Sequence, residues 1–446
     1  MPQIRQVIKR TGAIVPFNPE RITNAIYRAA VAVGGRDHRT AEALTQQVIR
    51  HLEDNCSPGQ IPTVEEIQDA VEKILIENGH AQVAKAYILY RDERARARKE
   101  RASRAAVLST NIPWEKIWRV LDWAVDHSIH TIAALNERIE HNEISEIVRE
   151  SESAYQEDID TAVELIAARN QMVRMVIVSG PSSSGKTTTT IKLNQHLRHL
   201  GYQLVTLNVD NYFYDLSLHP KDEFGDYDFE TPQALDLTLI NQHLSQLVAG
   251  EEVQIPHYDF KSGTRTAKTT PMRLAQNEIL LIDSLHGLYE GMTSSVPSKQ
   301  KFKLYLEPLM QIKDSQGNYA RWTDIRLIRR MLRDAAHRAY DPSQTLEHWH
   351  YVRSSELRNI IPHIPQVDFI INSAMPYELP IYRHKMLDQF THWAEQYQND
   401  PLRLDAYERA ARVRDLLSEV LPCPDDSIVP PDSVIREFIG GSVYSY

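Results

Sequence analysis

Apolar positions recur along this chain in two rhythms, and the change from one to the other divides it. Residues 4–93 open on two short apolar runs: Gln6-Val7-Ile8-Lys9-Arg10-Thr11-Gly12 predicts a strand entering a turn, and Ala13-Ile14-Val15-Pro16-Phe17 its hairpin partner. Helical spacing then takes over. Ile22, Ile26 and Ala29/Ala30 share one face of a helix predicted from Pro19 to Val33. Leu44, Val48 and Leu52 do so between Thr40 and Leu52. Thr63, with Glu66 three residues on, is a capping box opening a helix that runs through Ile67, Val71 and Ile74 to Gly79. A last helix carries Val83, Tyr87, Ile88 and Tyr90.

Between residues 105 and 170 the pattern stays helical. Pro113 precedes Trp114, Trp118, Leu121 and Trp123, apolar residues recur at Ile129, Ile132 and Leu135, and Ile144 to Asn170 reads as one or two helices with acidic faces. No catalytic constellation is visible there; the segment is expected to be a connector or a dimerisation element, with its tryptophans in a core or an interface. From Gln171 short, nearly continuous apolar runs alternate with helical stretches. Strands are predicted at Met175–Ser179, Gln203–Asn208, Glu278–Asp283, Phe302–Leu306 and Val367–Asn372. This is the pattern of an α/β fold, a parallel sheet covered by helices on both faces, whose ligands sit at the carboxyl ends of the strands. Residues 376–421 are helical by pattern and expected to pack on the sheet or form a subunit interface.

Composition narrows the class. A chain of 446 residues has room for two or three domains. A net charge of −10 with 25% charged residues argues against a general nucleic-acid binder. Cys56 and Cys423 are the only cysteines, so neither a disulfide framework nor a cysteine-based zinc site is expected. The start, Met1-Pro2-Gln3-Ile4-Arg5, has no apolar signal-like region, and no run reaches membrane-spanning length. A cytoplasmic protein without a membrane partner is the expectation. The basic, Ala-rich run 91–104 is read as the solvated end of the last N-terminal helix entering a linker, the alternative being a nucleic-acid or membrane-surface patch.

The chemistry gathers at predicted strand ends. Gly180-Pro181-Ser182-Ser183-Ser184-Gly185-Lys186-Thr187 lies between strand 175–179 and a helical pattern, with the spacing G-x-x-x-x-G-K-[ST]. Such a loop turns backbone N–H groups inward around phosphates, and the helix behind it adds positive potential. Gly180, Ser182, Ser183, Ser184, Gly185, Lys186, Thr187 and Thr188 are the expected ATP-binding residues. Lys186 can reach the β- and γ-phosphates, and Thr187 can offer its hydroxyl to Mg²⁺. Asp210 follows the second strand, where a carboxylate can accept the proton of an attacking hydroxyl. Asp283 ends the apolar strand Glu278–Asp283 and is the second expected Mg²⁺ ligand. Arg326, Arg330 and Arg333 fall on one helical face, a row suited to neutralising a phosphoryl group; Arg330 and Arg333, with Asp210 and Lys186, are the candidate catalytic residues.

Two resemblances give these parts a context. Residues 4–93 resemble an ATP-cone, the regulatory nucleotide module of ribonucleotide reductases and their repressor. The match rests on Val7-Ile8-Lys9-Arg10-x-Gly12, Val15-Pro16-Phe17, Arg21-Ile22, Val64-Glu65-Glu66-Ile67-Gln68-Asp69-x-Val71-Glu72 and Ala84-Lys85-Ala86-Tyr87-Ile88-x-Tyr90-Arg91. It implies that Lys9, Arg10, Arg21, Gln68 and Arg91 contact an ATP or dATP effector, Arg21 standing where many members have Lys.

The second half resembles the uridine kinase/phosphoribulokinase group of P-loop kinases. The residues that carry this are Gly180–Thr187, Asp210-Asn211-Tyr212-Phe213, Asp228-Phe229-Glu230-Thr231-Pro232-x-Ala234-Leu235-Asp236, Pro256-x-Tyr258-Asp259-Phe260, the strand ending at Asp283, and Arg329-Arg330-x-Leu332-Arg333-Asp334. Arg338-x-Tyr340, Thr345-x-x-x-Trp349-x-x-Val352-Arg353, Asn372-Ser373-Ala374 and Ser433–Ser442 look like a bacterial subgroup of uridine-kinase-related nucleoside kinases. The resemblance implies Asp210 as general base, Glu230 on the sugar hydroxyls and Tyr258 lining the acceptor pocket; Arg265, Arg338, Tyr340 and His348 complete the expected substrate contacts. Departures fall on base recognition: Gly263 stands where pyrimidine nucleoside kinases have a base-contacting His, Tyr340 where the lid has an Arg, and His348 at a further polar position; Asp283 in place of a Glu at the Mg²⁺ position is a change the metal tolerates. The tail Arg436–Ser442 is either a loop returning to the active site or a packing segment.

The resulting expectation is a P-loop kinase fold with an N-terminal mainly helical ATP-cone (1–95), a helical connector (96–170), a uridine kinase-like domain (171–375) and a C-terminal helical extension and tail (376–446). Its activity would be ATP- and Mg²⁺-dependent phosphorylation of a hydroxyl on a nucleoside or related small molecule, regulated through the cone, in a homo-oligomer. The alternatives are a kinase of a non-nucleoside sugar or sugar phosphate, and a non-catalytic nucleotide-sensing switch.

Overall fold

The structure, a computed structural model, describes residues 4–8, 14–35, 37–55, 61–88, 112–169, 172–220, 227, 231–337, 341–400 and 403–445. Two compact units make up the chain, the first of residues 1–109 with the short stretches 221–226 and 399–402, the second of the rest.

In the first unit β1 (Gln6–Ile8) and β2 (Ile14–Pro16) pair antiparallel, with Val7 opposite Val15. Helices α1 (Glu20–Val31), α2 (His38–Asn55), α3 (Val64–Glu77) and α4 (81–88) follow. Their apolar stripes form one core, in which Ile22 and Ile26 meet Leu44, Val48, Val71, Leu75 and Tyr87. The predicted capping box is present: the Glu66 N–H donates to Thr63 Oγ1 at 3.2 Å, and the Thr63 N–H donates to Glu66 Oε2 at 2.6 Å. It fixes the start of α3 by satisfying donors the helix cannot satisfy itself.

The second unit is built on five parallel strands: β3 (Met175–Ser179), β4 (Gln203–Thr206), β7 (Glu278–Asp283), β8 (Lys301–Glu307) and β9 (Phe369–Asn372). Their order in the sheet is β4-β7-β3-β8-β9. Because side chains alternate along a strand, each strand feeds both faces. Val176 and Val178 join Leu281, Phe302 and Leu304 in one core, while Met175 and Ile177 join Leu280 and Ile282 in another. The sheet is thus covered on both faces, as predicted.

The first core is closed by α6 (Ile132–Glu140), α7 (Ile144–Ala168), α8 (Lys186–His199), α10 (Trp322–His337), α11 (Pro342–Asn359), α12 (Glu378–Tyr397) and α13 (Leu404–Glu419). Helices before the sheet, including the single 25-residue α7, are therefore part of its hydrophobic core. The tryptophans of α5 (Trp114–Asp126) divide: Trp123 packs against this core, whereas Trp114 and Trp118 are 56% and 64% exposed. The second core is closed by α9 (Leu237–Val248) and a hairpin of β5 (Val253–Asp259) with β6 (Thr264–Met272). The apolar pattern does not announce this hairpin, because β6 buries almost nothing. Among the described residues, no helix is long and apolar enough to cross a membrane.

Candidate active site

The loop after β3 leaves the centre of the sheet at its carboxyl edge. Its shape requires glycine twice. A Cβ on Gly180 would stand 2.3 Å from the Leu306 carbonyl oxygen. Gly185 has φ +93°, and a Cβ there would meet Val434 Cγ2 at 2.4 Å. Between them Ser183 also takes a left-handed conformation, φ 60°. The Ser183 and Ser184 hydroxyls are buried with no hydrogen-bond partner among the described residues, as expected of a cradle built for a polar ligand. Lys186 folds back over the loop, its Nζ donating to the Gly180 and Pro181 carbonyls at 2.9 and 3.3 Å. Thr187 is exposed at the first turn of α8.

Two carboxylates act on this lysine through their charge. Burial lowers the Lys186 pKa, and the charges of Asp283 and Glu437 oppose that shift. Burial raises the Asp283 pKa; Lys186 opposes it, while Glu437 and Asp210 push it further up. Asp210 lies in a single 3₁₀ turn, 209–212, after β4, and desolvation raises its carboxyl pKa although the residue keeps solvent contact. The turn is fixed from both ends. The Asp210 N–H donates to Asn208 Oδ1 at 3.0 Å, and the Tyr258 N–H of the hairpin donates to Asn211 Oδ1 at 3.3 Å.

The arginines of α10 do not share one environment. Arg326 is fully buried, its guanidinium bonded to both Glu356 oxygens at 2.5 and 2.8 Å and to the Ser182 carbonyl at 3.1 Å. Arg329 is equally buried, on both Glu378 oxygens at 2.8 and 3.0 Å and the Ser373 carbonyl at 2.6 Å. Only Arg330 and Arg333 keep partial exposure. Arg330 reaches Ser182 Oγ at 3.4 Å, and Arg333 Nε donates to Asp334 at 3.1 Å. Helical spacing groups Arg326 with these two; burial separates it, as a post that holds the phosphate loop to α11.

Rings cluster at Phe213, just past the Asp210 turn. Phe213 lies 5.6 Å from Tyr258 and 5.4 Å from His219, and Tyr258 5.0 Å from Phe260. The Tyr258 hydroxyl is buried without a partner among the described residues. Arg265 is committed to the fold: it donates to the Tyr212 and Phe213 carbonyls at 2.6 and 2.8 Å and to Asp236 at 3.0 Å. It thereby clamps the Asp210 turn to the hairpin. Gly263 closes that hairpin with φ +67°, and a Cβ there would stand 3.1 Å from Leu216 Cβ, so a histidine at this position would be strained. His348 is exposed on α11, its ring bonded to the Gln344 carbonyl of the same helix. In the first unit Arg21 is exposed on α1 and Gln68 half-buried on α3. Lys9, Arg10, Arg91, Glu230, Arg338 and Tyr340 lie outside the described residues.

Two residues near the loop escaped the sequence reading. Glu437, in the short α14 (Arg436–Ile439), accepts from the Thr188 N–H at 3.2 Å and from Thr188 Oγ1 at 2.9 Å. The tail therefore does return to the phosphate loop. His286, three residues beyond Asp283, is 5% exposed with both ring nitrogens unpartnered among the described residues. Burial and the Lys186 charge lower its pKa to about 4. A polar residue so close to Asp283 was a visible signal; for Glu437 the resemblance of the tail left open a return to the active site, and nothing in local spacing marks a contact 249 residues away.

A central parallel strand, a glycine-shaped loop and a lysine folded over that loop define a P-loop phosphotransferase class. Residues 175–379 match the phosphoribulokinase/uridine kinase family, and residues 5–96 match the ATP cone domain. A uridine kinase from Chloroflexus aurantiacus is 30% identical over 172 residues, 39% of this chain and 73% of that protein. One from Deinococcus deserti is 28% identical over 195 residues, 44% of this chain and 84% of that protein. The N-terminal region is 41% identical over 103 residues to a vitamin B12-dependent ribonucleoside-diphosphate reductase of Thermoplasma acidophilum, 22% of this chain but only 13% of the reductase. The chain belongs to the phosphoribulokinase/uridine kinase family and carries an ATP cone ahead of its kinase domain.

Proposed function

We propose that this protein transfers the γ-phosphoryl group of ATP to a hydroxyl of a nucleoside or related sugar-like molecule, with Asp210 as general base. The observation that carries the reading is the convergence at one edge of the sheet of Lys186 behind the glycine-shaped loop after β3, Asp283 at the end of β7 and Asp210 after β4. Asp210 takes the acceptor proton. Lys186, Arg330 and Arg333 neutralise the moving phosphoryl group. The Thr187 hydroxyl and the Asp283 carboxylate are hard oxygen donors that suit Mg²⁺, an ion usually held by few protein oxygens together with substrate phosphates. When bound, Mg²⁺ offsets phosphate charge. Glu230 and Tyr258 hold the acceptor, with Arg338, Tyr340 and His348 as further candidate contacts, and Arg265 supports the pocket from behind.

One observation favours a non-nucleoside acceptor as a second reading. Gly263 stands in place of the histidine expected of pyrimidine recognition, in a conformation that would strain one, and a site without its polar readers loses discrimination for a base. A screen of nucleosides against sugars and sugar phosphates, with purified protein and Mg-ATP, separates the two; acceptor-independent turnover alone would sink both. Regulation by ATP or dATP bound at Lys9, Arg10, Arg21, Gln68 and Arg91 is part of the proposal, as are a cytoplasmic homo-oligomer and a functional division at residues 95, 170 and 375. Removing residues 1–93 should change the ATP and dATP dependence of the rate, since coupling between two sites is reciprocal.

A further inference from the structure

The tail that ends the chain holds an anion against the phosphate loop. Val434, Ile435 and Phe438 are fully buried, Glu437 is 5% exposed, and Asp432 pairs with Lys192 of α8 at 2.7 Å. Val434 closes against Gly185. This packing aims one carboxylate oxygen, Glu437 Oε2, at both donors of Thr188. Thr188 is the third residue of α8, and its N–H belongs to the first turn, whose donors have no partner inside the helix and favour anions. In a loop that binds nucleotide, those donors face the phosphates. Glu437 also acts on Lys186 and Asp283, within the same electrostatic cluster.

We propose that Glu437 is a positioning residue that lowers the affinity of the phosphate loop by competing with nucleotide for the Thr188 donors. Its carboxylate is a built-in phosphate surrogate. It holds the first turn of α8 in shape while the loop is empty, and nucleotide binding must release or share the Thr188 contacts. The charge on the tail then sets how tightly the donor and its product ADP are held, and so how fast product leaves. The inference rests on the loop being the nucleotide site, but not on the identity of the acceptor.

The test is a calorimetric titration of ADP into the full chain, into Glu437→Gln and into Glu437→Asp. Lys186→Ala identifies which binding component belongs to the kinase unit rather than to the cone. The neutral amide of Glu437→Gln keeps an acceptor oxygen for Thr188 and is expected to leave the melting curve of the nucleotide-free protein in place. It should bind ADP at the Lys186-dependent site about tenfold tighter, the scale of a lost charge-assisted competitor. Glu437→Asp, with its charge kept but withdrawn by one methylene, should fall between the two and is the control should the amide disturb folding. Equal or weaker ADP binding by Glu437→Gln, with Lys186 dependence intact, would overturn the proposal; weaker binding is what a carboxylate that helps seat phosphate would give. Absence of any Lys186-dependent component in all three proteins would instead refute the site reading, and the proposal with it.

Discussion

Asp210 raises the pKa of Asp283, although one follows β4 and the other ends β7. The parallel pairing of these strands, Thr206 opposite Leu281, delivers both carboxyls to the same edge of the sheet. Desolvation is the leading cause of the upward shift at each. A first prediction concerns pH. Both groups must be ionised in the proposed mechanism, so the rate should fall as pH drops through their raised pKa values. The acid limb of kcat/KM should lie above the ordinary carboxylate range of about 4. A limb at or below that value would contradict the assignment.

Asp210→Asn should remove the base without removing the nucleotide site. Loss of a general base costs ~10²–10⁴-fold in rate, while ADP binding should persist. The sign for stability is opposite. A carboxyl whose folded pKa is raised contributes stability that is present below its unfolded pKa and lost as pH rises through the folded value. At pH 7 the ionised Asp210 is therefore a small cost, limited by its solvent contact. The asparagine variant should melt no lower than the parent at pH 7, and a near-parental transfer rate would refute the base role.

The two kinds of arginine on α10 should separate in mutagenesis. Arg326→Ala leaves Glu356 and Glu307 as buried carboxylates around an absent cation, a loss worth ~3–5 kcal/mol for a broken buried pair. Arg330→Ala, at a partly exposed pair with Asp334, should cost less than about 1 kcal/mol and instead lower kcat. Urea unfolding alongside kinetics distinguishes them. Similar stability losses would mean that Arg330 also serves the fold.

These arginines mark where sequence reading reaches its limit. The strands were legible because Val176-Ile177-Val178 and Leu280-Leu281-Ile282 are apolar on two faces, which only a doubly covered sheet requires. The loop was legible because its glycines, lysine and threonines fall at fixed spacing within one short stretch, 180–188. Helical spacing correctly set Arg326, Arg330 and Arg333 on one side of α10. What buries Arg326 is its pairing with Glu356 and Glu307, contacts that arise only on folding, while Arg330 and Arg333 pair with Asp334 on their own helix. The β5–β6 hairpin escaped because Thr264-Arg265-Thr266-Ala267-Lys268-Thr269-Thr270 lies exposed and has no apolar alternation. The tail remained undecided because Glu437 meets Thr188 across 249 residues.

Gly263→His should not restore base recognition. At φ +67° a non-glycine residue pays roughly 1–2 kcal/mol for the left-handed conformation. The 3.1 Å approach to Leu216 adds to that. The variant should melt lower than the parent and show no gain in preference for pyrimidine nucleosides over sugar phosphates. A gain would mean that the turn rearranges and that the departure at this position is a matter of side chain alone.

His286 offers a stability prediction with an internal control. Its ring is almost fully buried, and neither nitrogen has a protein partner among the described residues, so any tautomer leaves one donor and one acceptor unsatisfied. Leaving such groups buried costs about 1–3 kcal/mol. His286→Leu, of similar size, should therefore raise the unfolding free energy at pH 7. The pH dependence supplies the control. The folded pKa is lowered to about 4 from the ordinary 6.5, by burial first and by the Lys186 charge second. For a histidine depressed in this way, the unfolded chain takes up a proton that the folded chain refuses. Stability is full above pH 6.5 and is lost as pH falls toward 4. The leucine variant lacks this site, so the difference in stability between variant and parent should widen across that window, by up to about 1.4 kcal/mol per pH unit. Urea titrations at pH 7.5, 6 and 5 (about one buffer step apart) measure it directly. A constant difference would mean that His286 is protonated in the fold or reached by solvent. A variant that is instead less stable at every pH would show that the ring is held by contacts stronger than its unmet hydrogen bonds.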